Sequence, residues 1–599
     1  MLAGRMSVGK LGIGADLCSS PYDRAVFRPN ETHRQQDVFG LESRLPRHTW
    51  ELLKESQEYA FYEEIFCRIP ESLFAELYDG SAATRPNAPV NRLVGALILQ
   101  HMRDWTFEEL MDRLAFDLKV RAALGLWTLE ETAFCRATLF NFQKRVREHM
   151  GKTGRDIFEC VFDLLTQEQL ERFGLKGEVQ RCDSTQVGSN IRAFTRIELL
   201  VEVMLRMWRT LGEAGQAQHA ERFAVYTKAK TSGQFLYRLR KSEFDATLER
   251  LGEFYAWMVE ALKAEYGESE IYRIVCRLFA EHFTRVEEKI AVRAGKEIGS
   301  DSLQSPDDLD ATYREKDGES FHGFVLHATE TAAPENPLQL VTDVVVEPNN
   351  RDDSRILHDR LPAMKEKTPD LAELHTDATY ASEGNDTLEA ELGIAHVQTA
   401  IRGHLSPAPI HIEKDEDGLY RIRCFAGHVV KGEPTPTRFK AAFQAETCVG
   451  CPFAGLCPGQ NMACGGRTHY FTEADRLRQE RHQRLRELPE ERRTLRANVE
   501  ATMRQFNAPL RNGKLRTRGL HAAGRYGFLR AAGINFGRIY RHLRNLASQS
   551  RKLAVSRPRT PLIPLLLTRA AGLSSRLRSF FRSASPSQYP GIRPANGFA

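Results

Sequence analysis

The chain has 599 residues, 42% of them hydrophobic and 27% charged, with a formal net charge of +5. That composition excludes a fibrous or wholly disordered chain and is enough for several domains, roughly three to five. The charge is unevenly spread. Residues 501–599 hold nineteen Lys plus Arg and no Asp or Glu, which leaves 65 basic against 79 acidic residues, a net −14, in the first 500. Such asymmetry points to a polyanion or a membrane surface as partner. No apolar run approaches the roughly 18 residues that span a bilayer. The opening Met1-Leu-Ala-Gly-Arg-Met lacks the pattern of a secretory signal, so a cytoplasmic protein without a membrane anchor is expected.

Residues 1–45, rich in Gly, Arg, Pro and Asn, read as an irregular segment, and 46–170 as a helical domain. Leu93, Val94, Leu97, Ile98 and Met102 recur at helix-face spacing. Thr106-Phe-Glu-Glu109 is a capping box that opens a helix carrying Leu110, Leu114 and Leu118. After a break at Leu124-Gly125-Leu126, another helix is predicted from Arg136 through Met150. Short helices on short turns are compatible with a helix-turn-helix DNA reader. Val179 to Asp183 reads as a buried strand, followed by a helical insert over 193–295. Alternating strands then follow at Gly323–Thr329 and Leu338–Val346, a helix near 351–367, a strand at 371–377, a helix at Glu383–Leu392 and a strand at Ile394–Val397. That order predicts an α/β fold, a mixed sheet with helices packed on it. Residues 405–470 read as a loop-rich, Cys-rich insert, 471–506 as one long charged helix, and Arg525–Arg544 as a basic helix. The tail from 546 on, rich in Arg, Ser and Pro, predicts no fixed structure.

Three acids stand in settings that suit phosphodiester chemistry. Asp183 closes Gly177-Glu-Val-Gln-Arg-Cys-Asp183, Asp377 closes Leu371-Ala-Glu-Leu-His-Thr-Asp377, and Glu500 lies in an Arg-rich helix with no acid after it. Two carboxylates at strand ends and one on a helix can hold two divalent cations about 3.5–4 Å apart. Mg²⁺ or Mn²⁺ prefer such oxygen ligands. Cys182 beside Asp183 has no evident base and reads as strand packing.

Five cysteines crowd between 424 and 464. Cys448-Val-Gly-Cys451, with Cys457 downstream and Cys424 upstream, supplies four thiolates for a tetrahedral structural zinc, with His428 and Cys464 as spares. The basic stretch Arg511-Asn-Gly-Lys-Leu-Arg-Thr-Arg518 can pair with phosphates, so Arg511, Lys514, Arg516 and Arg518 are candidate DNA contacts.

Asp183-Ser-Thr-Gln-Val, Asp310-Ala-Thr-Tyr-Arg-Glu-Lys-Asp-Gly318, Thr376-Asp377-Ala-Thr-Tyr380 and Arg496-Ala-Asn-Val-Glu500-Ala-Thr-Met-Arg504-Gln-Phe506 together resemble the DDE transposases of bacterial insertion sequences, over roughly residues 25–545. Arg85-Pro86 ahead of the helices adds to the likeness. The resemblance implies an RNase H-like catalytic core over 171–545 and a helical DNA-binding domain over 46–170. It implies Asp183, Asp377 and Glu500 as ligands of two Mg²⁺ ions. It also implies strand cleavage at inverted-repeat ends in double-stranded DNA and transfer to target DNA. A homodimer at synapsis and association with the bacterial nucleoid would follow. A related branch carries a Tyr-Arg-Glu-Lys signature. Arg496 and Glu500 fit it, while Arg493 and Asn507 stand at the Tyr and Lys positions. Arg504, one helical turn past Glu500 on the same face, is placed to contact the phosphate that the signature's Lys would reach. The resembling proteins often carry a Cys-rich insert before the Glu. A nuclease or recombinase on the same core without transposition, and a DNA-binding protein without catalysis, remain alternatives.

Overall fold

The computed structural model describes residues 27–35, 39–78, 87–287, 289–399, 406–415 and 417–556. Most of the expected irregular N-terminal segment, Arg85-Pro86 and the tail from 557 on lie outside the described residues. Helix α1 (Val90–Arg103) buries an almost unbroken face. Its Leu93, Val94, Leu97 and Ile98 are at most 1% exposed, so each contributes on the order of 1.5–3 kcal/mol. Asp104 ends it in the left-handed region at φ 54°, a conformation Asp tolerates. Trp105 and Thr106 complete the turn into α2 (Phe107–Phe116), where the capping box forms as expected. Leu118 does not extend α2. Asp117 accepts from the Lys119 and Val120 amides and starts a separate helix, Leu118–Ala123. Helices α3 (Arg136–Thr153) and α4 (Ile157–Phe173) complete the bundle.

Strand β1 (Val179–Gly188) runs beyond the expected five residues. After β1 come α5 (Arg196–Thr210), α6 (Phe244–Ala261) and α7 (Glu270–His282) around their own apolar core, then a short hairpin. The sheet continues with β2 (Thr312–Lys316), β3 (Glu319–Thr331) and β4 (Val341–Pro348), then α8 (Asp353–Lys367), β5 (Glu373–Thr376), α9 (Glu383–Leu392) and β6 (Ala395–Gln398). The order is β2-β3-β1-β5-β6, with β4 also paired to β3. Strands β2 and β4 are antiparallel to β3, and β3 to β1, whereas β5 and β6 run parallel to β1. The sheet is therefore mixed, as the alternation of elements predicts.

Two expectations change. Residues 405–470 are not simply loops. Alternation of Ile412, Tyr420 and Ile422, and of Ala441, Phe443 and Phe471, closes two small antiparallel sheets over a core. The single charged helix expected at 471–506 is broken. Helix α10 (Glu473–Glu487) stops before Leu488-Pro489, because Pro disfavours a helical residue before it. A 3₁₀ turn at Leu495–Asn498 then leads into α11 (Val499–Asn507). The last helix, α12 (Leu520–Ser556), passes the expected boundary at 546 because no Pro or Gly interrupts it there. Leu93 of α1, Phe158 of α4, Phe324 and Leu326 of β3, Phe506 of α11 and Phe536 of α12 share one hydrophobic core. The N-terminal helices thus pack with the sheet and not as a separate bead. No helix among the described residues is long and apolar enough to cross a membrane.

Candidate active site

Odd-numbered residues of β1 point to one face, and the 495–507 segment lies across that face. Arg181 donates to the Leu495 carbonyl (3.0 Å), Asp183 pairs with Arg496 (3.0 Å), and Asn507 donates to the Thr185 hydroxyl (2.6 Å). Val187 packs in the cluster that holds Val499, Met503 and Phe506. The opposite face carries Cys182, packed beside Leu357, Leu374 and Tyr380. Burial pushes the Cys182 thiol up to about 12, so it is a packed, protonated side chain and not a nucleophile.

The parallel register that sets Arg181 opposite His375 brings Asp377, one residue past β5, level with Asp183, which the longer β1 places mid-strand and not at the strand end expected from the sequence. Each carboxylate has one oxygen fixed locally. Oδ1 of Asp183 accepts from the Ser184 amide (2.9 Å), and Oδ1 of Asp377 from the Thr379 amide (2.8 Å). The two Oδ2 atoms converge on one guanidinium nitrogen, Nη2 of Arg496, at 3.0 and 3.9 Å. Burial pushes the Asp183 carboxyl above its usual range. Arg496 and the Ser184 amide pull it back, and the Asp377 charge adds to the rise. Two anionic oxygens aimed at one cation suit a hard divalent ion.

Glu500 stands apart from this pair. It lies in the first turn of α11, four residues after Arg496 and seven before Asn507, so its helix runs along the right face. Its carboxylate is 54% exposed and faces Arg504 at 3.9 Å. Val499, Thr502, Met503 and Phe506 take the inward positions of α11. Among the described residues no group of three or more His, Cys, Asp or Glu side chains is placed to hold a metal ion. The structure supplies a converging pair of acids, with the third on the neighbouring helix.

Arg496, expected as a DNA contact, lies here beside the acidic pair as its cation. Sequence reasoning also missed the support behind it. Glu330, fully buried, accepts from Arg181 (2.6 Å), Arg538 (2.7 Å) and Thr502 (2.6 Å), and so ties β1, β3, α11 and α12 together. Its signal in the sequence is weak, because the same strand also carries Glu319, two histidines and several hydroxyl residues. Of the expected DNA contacts, Arg504 is 83% exposed, and Arg511 and Lys514 are also exposed. Arg516 pairs with Asp104 (3.0 Å) and Arg518 with Asp307 (3.4 Å).

The thiols of Cys424, Cys448, Cys451 and Cys457 line one cavity of about 30 Å³, together with His469. None is in a disulfide. Cys457 Sγ lies 3.5 Å from His469 Nε2, and Cys464 is exposed.

Residues 427–540 match the family model described as Transposase DDE domain, and residues 44–145 match that described as Transposase domain (DUF772). The first match takes in Arg496, Glu500 and the basic stretch to Arg518, but neither Asp183 nor Asp377. The second takes in α1, α2 and the start of α3. No curated protein and no solved structure matches the chain.

Proposed function

We propose that this chain, a DDE-type transposase of the insertion-sequence kind by both of its family matches, binds the inverted-repeat ends of its element and catalyses strand cleavage and then strand transfer, with Asp183, Asp377 and Glu500 as its metal-holding acids. One observation carries the reading: a carboxylate in the middle of β1 and one just past the neighbouring parallel β5 converge on a single cation, beside the helix that bears the acid of the matched domain. A β4-β3-β1-β5-β6 order, antiparallel on one side of β1 and parallel on the other, supports an RNase H-like core.

Two Mg²⁺ or Mn²⁺ ions held by these acids supply activation of the attacking oxygen and neutralisation of the leaving one. The chain's own residues do the positioning. Amides of Ser184 and Thr379 lock one oxygen of each Asp and leave the other for a cation. Arg496 neutralises the pair at rest and becomes available to a DNA phosphate once displaced. Glu500, exposed on α11, completes the acidic set, and Arg504, Arg511, Lys514, Arg516 and Arg518 grip backbone phosphates. Water and then a liberated 3′-hydroxyl are the nucleophiles, so no covalent protein–DNA intermediate is needed. Synapsis of two ends calls for a homodimer, working at the bacterial nucleoid. In the cysteine module, Cys424, Cys448, Cys451 and Cys457, which line one cavity, would be the residues to hold a structural zinc. Less than about a tenth of an equivalent of zinc in purified protein removes that part.

DNA flanking the gene should contain terminal inverted repeats. A duplex carrying one repeat should be cut at its end and joined to target DNA in Mg²⁺ or Mn²⁺, and left intact with chelator. Cutting without joining assigns a nuclease instead, and no cutting with either ion overturns the reading.

A further inference from the structure

A groove of about 610 Å³ opens where the α1–α2 turn meets the segment that follows α11. One wall is the turn itself, with His101, Trp105 and Phe107. The other is Pro509–Thr517 and the start of α12. Five cationic side chains line it, Arg136, Arg511, Lys514, Arg516 and Arg525, against two carboxylates, Asp104 and Glu108. Asp104 is already neutralised by Arg516, which donates to both of its oxygens at 3.1 and 3.0 Å. Glu108, 84% exposed, faces Arg136 at 3.8 Å, which leaves Arg511, Lys514 and Arg525 without an acid in the groove. The groove is therefore electropositive where it is deep.

Arg525 sets this groove apart. The residue is 7% exposed, and its Nε has no hydrogen-bond partner among the described residues. The acid that acts on it, Asp156, is engaged elsewhere, by the Phe158 amide at 2.9 Å and by His521 at 3.4 Å. A buried guanidinium without its own carboxylate is costly unless a ligand completes it. Guanidinium geometry matches a phosphate in bidentate fashion.

The approach to Arg525 is built by sequence. Asn512 and Gly513 both have positive φ, 54° and 69°, so Arg511–Lys514 makes a tight turn that carries Arg511 and Lys514 on its two arms. The end of β1 clasps this turn: the Gly188 amide donates to Gly513 O (2.8 Å), and Leu515 N donates to Gly188 O (2.8 Å). A Cβ at Gly188 would sit 2.9 Å from Gly513 O, so glycine permits the clasp. Gly188 lies five residues beyond Asp183 on the same strand, about 17 Å along it.

We propose that this groove is a DNA-backbone subsite, in which Arg525 receives one phosphate and Arg511 and Lys514 receive its neighbours, holding the duplex against the α1–α2 turn one strand length from the acidic pair. This rests on the DNA-substrate part of the function proposed above. It adds Arg525, and the α1–α2 turn as the opposite wall, to the phosphate contacts named there.

The test is duplex binding by fluorescence anisotropy over a range of KCl concentrations, using a mixed-sequence duplex because phosphate contacts carry no sequence. Each lost phosphate contact lowers the slope of log K against log salt by about 0.9. Arg525→Gln should lower it by about one such step and weaken binding several-fold, with an unchanged thermal transition showing that the fold is intact. Arg511→Ala combined with Lys514→Ala, both exposed, should lower it by about two steps, and decides the matter if Arg525→Gln does not fold. Wild-type slopes in the folded variants overturn the proposal. A parallel arm replaces chloride by inorganic phosphate at equal ionic strength. Thermal protection by phosphate in the wild type, lost in Arg525→Gln while the DNA slope is unchanged, assigns Arg525 to a free anion and overturns the DNA subsite. Binding and catalysis are read separately: slope losses without strand transfer leave the groove standing and remove the catalytic reading, and the converse removes the groove alone.

Discussion

Two buried arginine settings flank the candidate site, and they differ in one respect. Beneath the acidic face, Arg181 and Arg538 are saturated by the fully buried Glu330, with Thr502 completing the set. At the groove, Arg525 is equally buried but lacks such a carboxylate, and burial lowers its pKa to about 10. The first setting is closed and holds four elements in register. The second is open and keeps a charge at a cost. A folded-state pKa lowered from 12.5 to about 10 costs stability in full at neutral pH, on the order of 3 kcal/mol. A saturated arginine belongs to architecture, and an unsaturated one at a groove belongs to a ligand.

That contrast can be broken by substitution, and the largest effect is expected at Glu330. Glu330→Gln removes the charge that Arg181 and Arg538 share and should destabilise the fold by about 3–5 kcal/mol in chemical denaturation. A loss below about 1 kcal/mol would mean that the closed network is not structural. Thr502→Val, which removes one hydroxyl from Glu330 and from Arg538, should cost about 1–3 kcal/mol in the same assay. Arg525→Gln should behave in the opposite sense, leaving stability equal or higher while weakening DNA binding. A loss as large as that of Glu330→Gln would place Arg525 with the architecture.

The last effect is read as a slope against pH and not as a loss at one pH. Burial, with Arg525 and Arg530 nearby, lowers the His101 pKa to about 3. A His with a lowered folded-state pKa contributes stability that is present above its unfolded pKa near 6.5 and is lost as pH falls through about 3. Each unit below 6.5 should cost about 1.4 kcal/mol from this one proton. His101→Gln should flatten the decline in stability between pH 6.5 and 4, and an unchanged slope would show that His101 is not buried neutral.

Much of the site could be read in the sequence because its signals are local. Asp183 and Asp377 follow short apolar runs, and strand periodicity places both on the sheet, although β1 continues past Asp183 to Gly188. The helical insert and the order of strands followed from alternation and breakers alone. Partners hundreds of residues apart could not be read. Arg496 looked like a DNA contact because it fits the Tyr-Arg-Glu-Lys signature, and only the fold puts its guanidinium beside two acids. Arg525 looked like one of nineteen basic residues. Its burial depends on α1 and α2 packing against α12, a contact some four hundred residues long in sequence. Gly and Pro density hid the two small sheets around the cysteines, whose strands are only two to five residues long.

The central claim is that Asp183, Asp377 and Glu500 form one catalytic set although only the first two converge at rest. Strand transfer by Asp183→Asn, Asp377→Asn and Glu500→Gln, each checked for binding of the inverted-repeat end, tests it most directly. The account predicts that all three variants bind the end and that none joins it to target DNA. Normal joining by any one of them would remove that residue from the site. Normal joining by Glu500→Gln in particular would leave the converging pair without the third acid on which the reading depends.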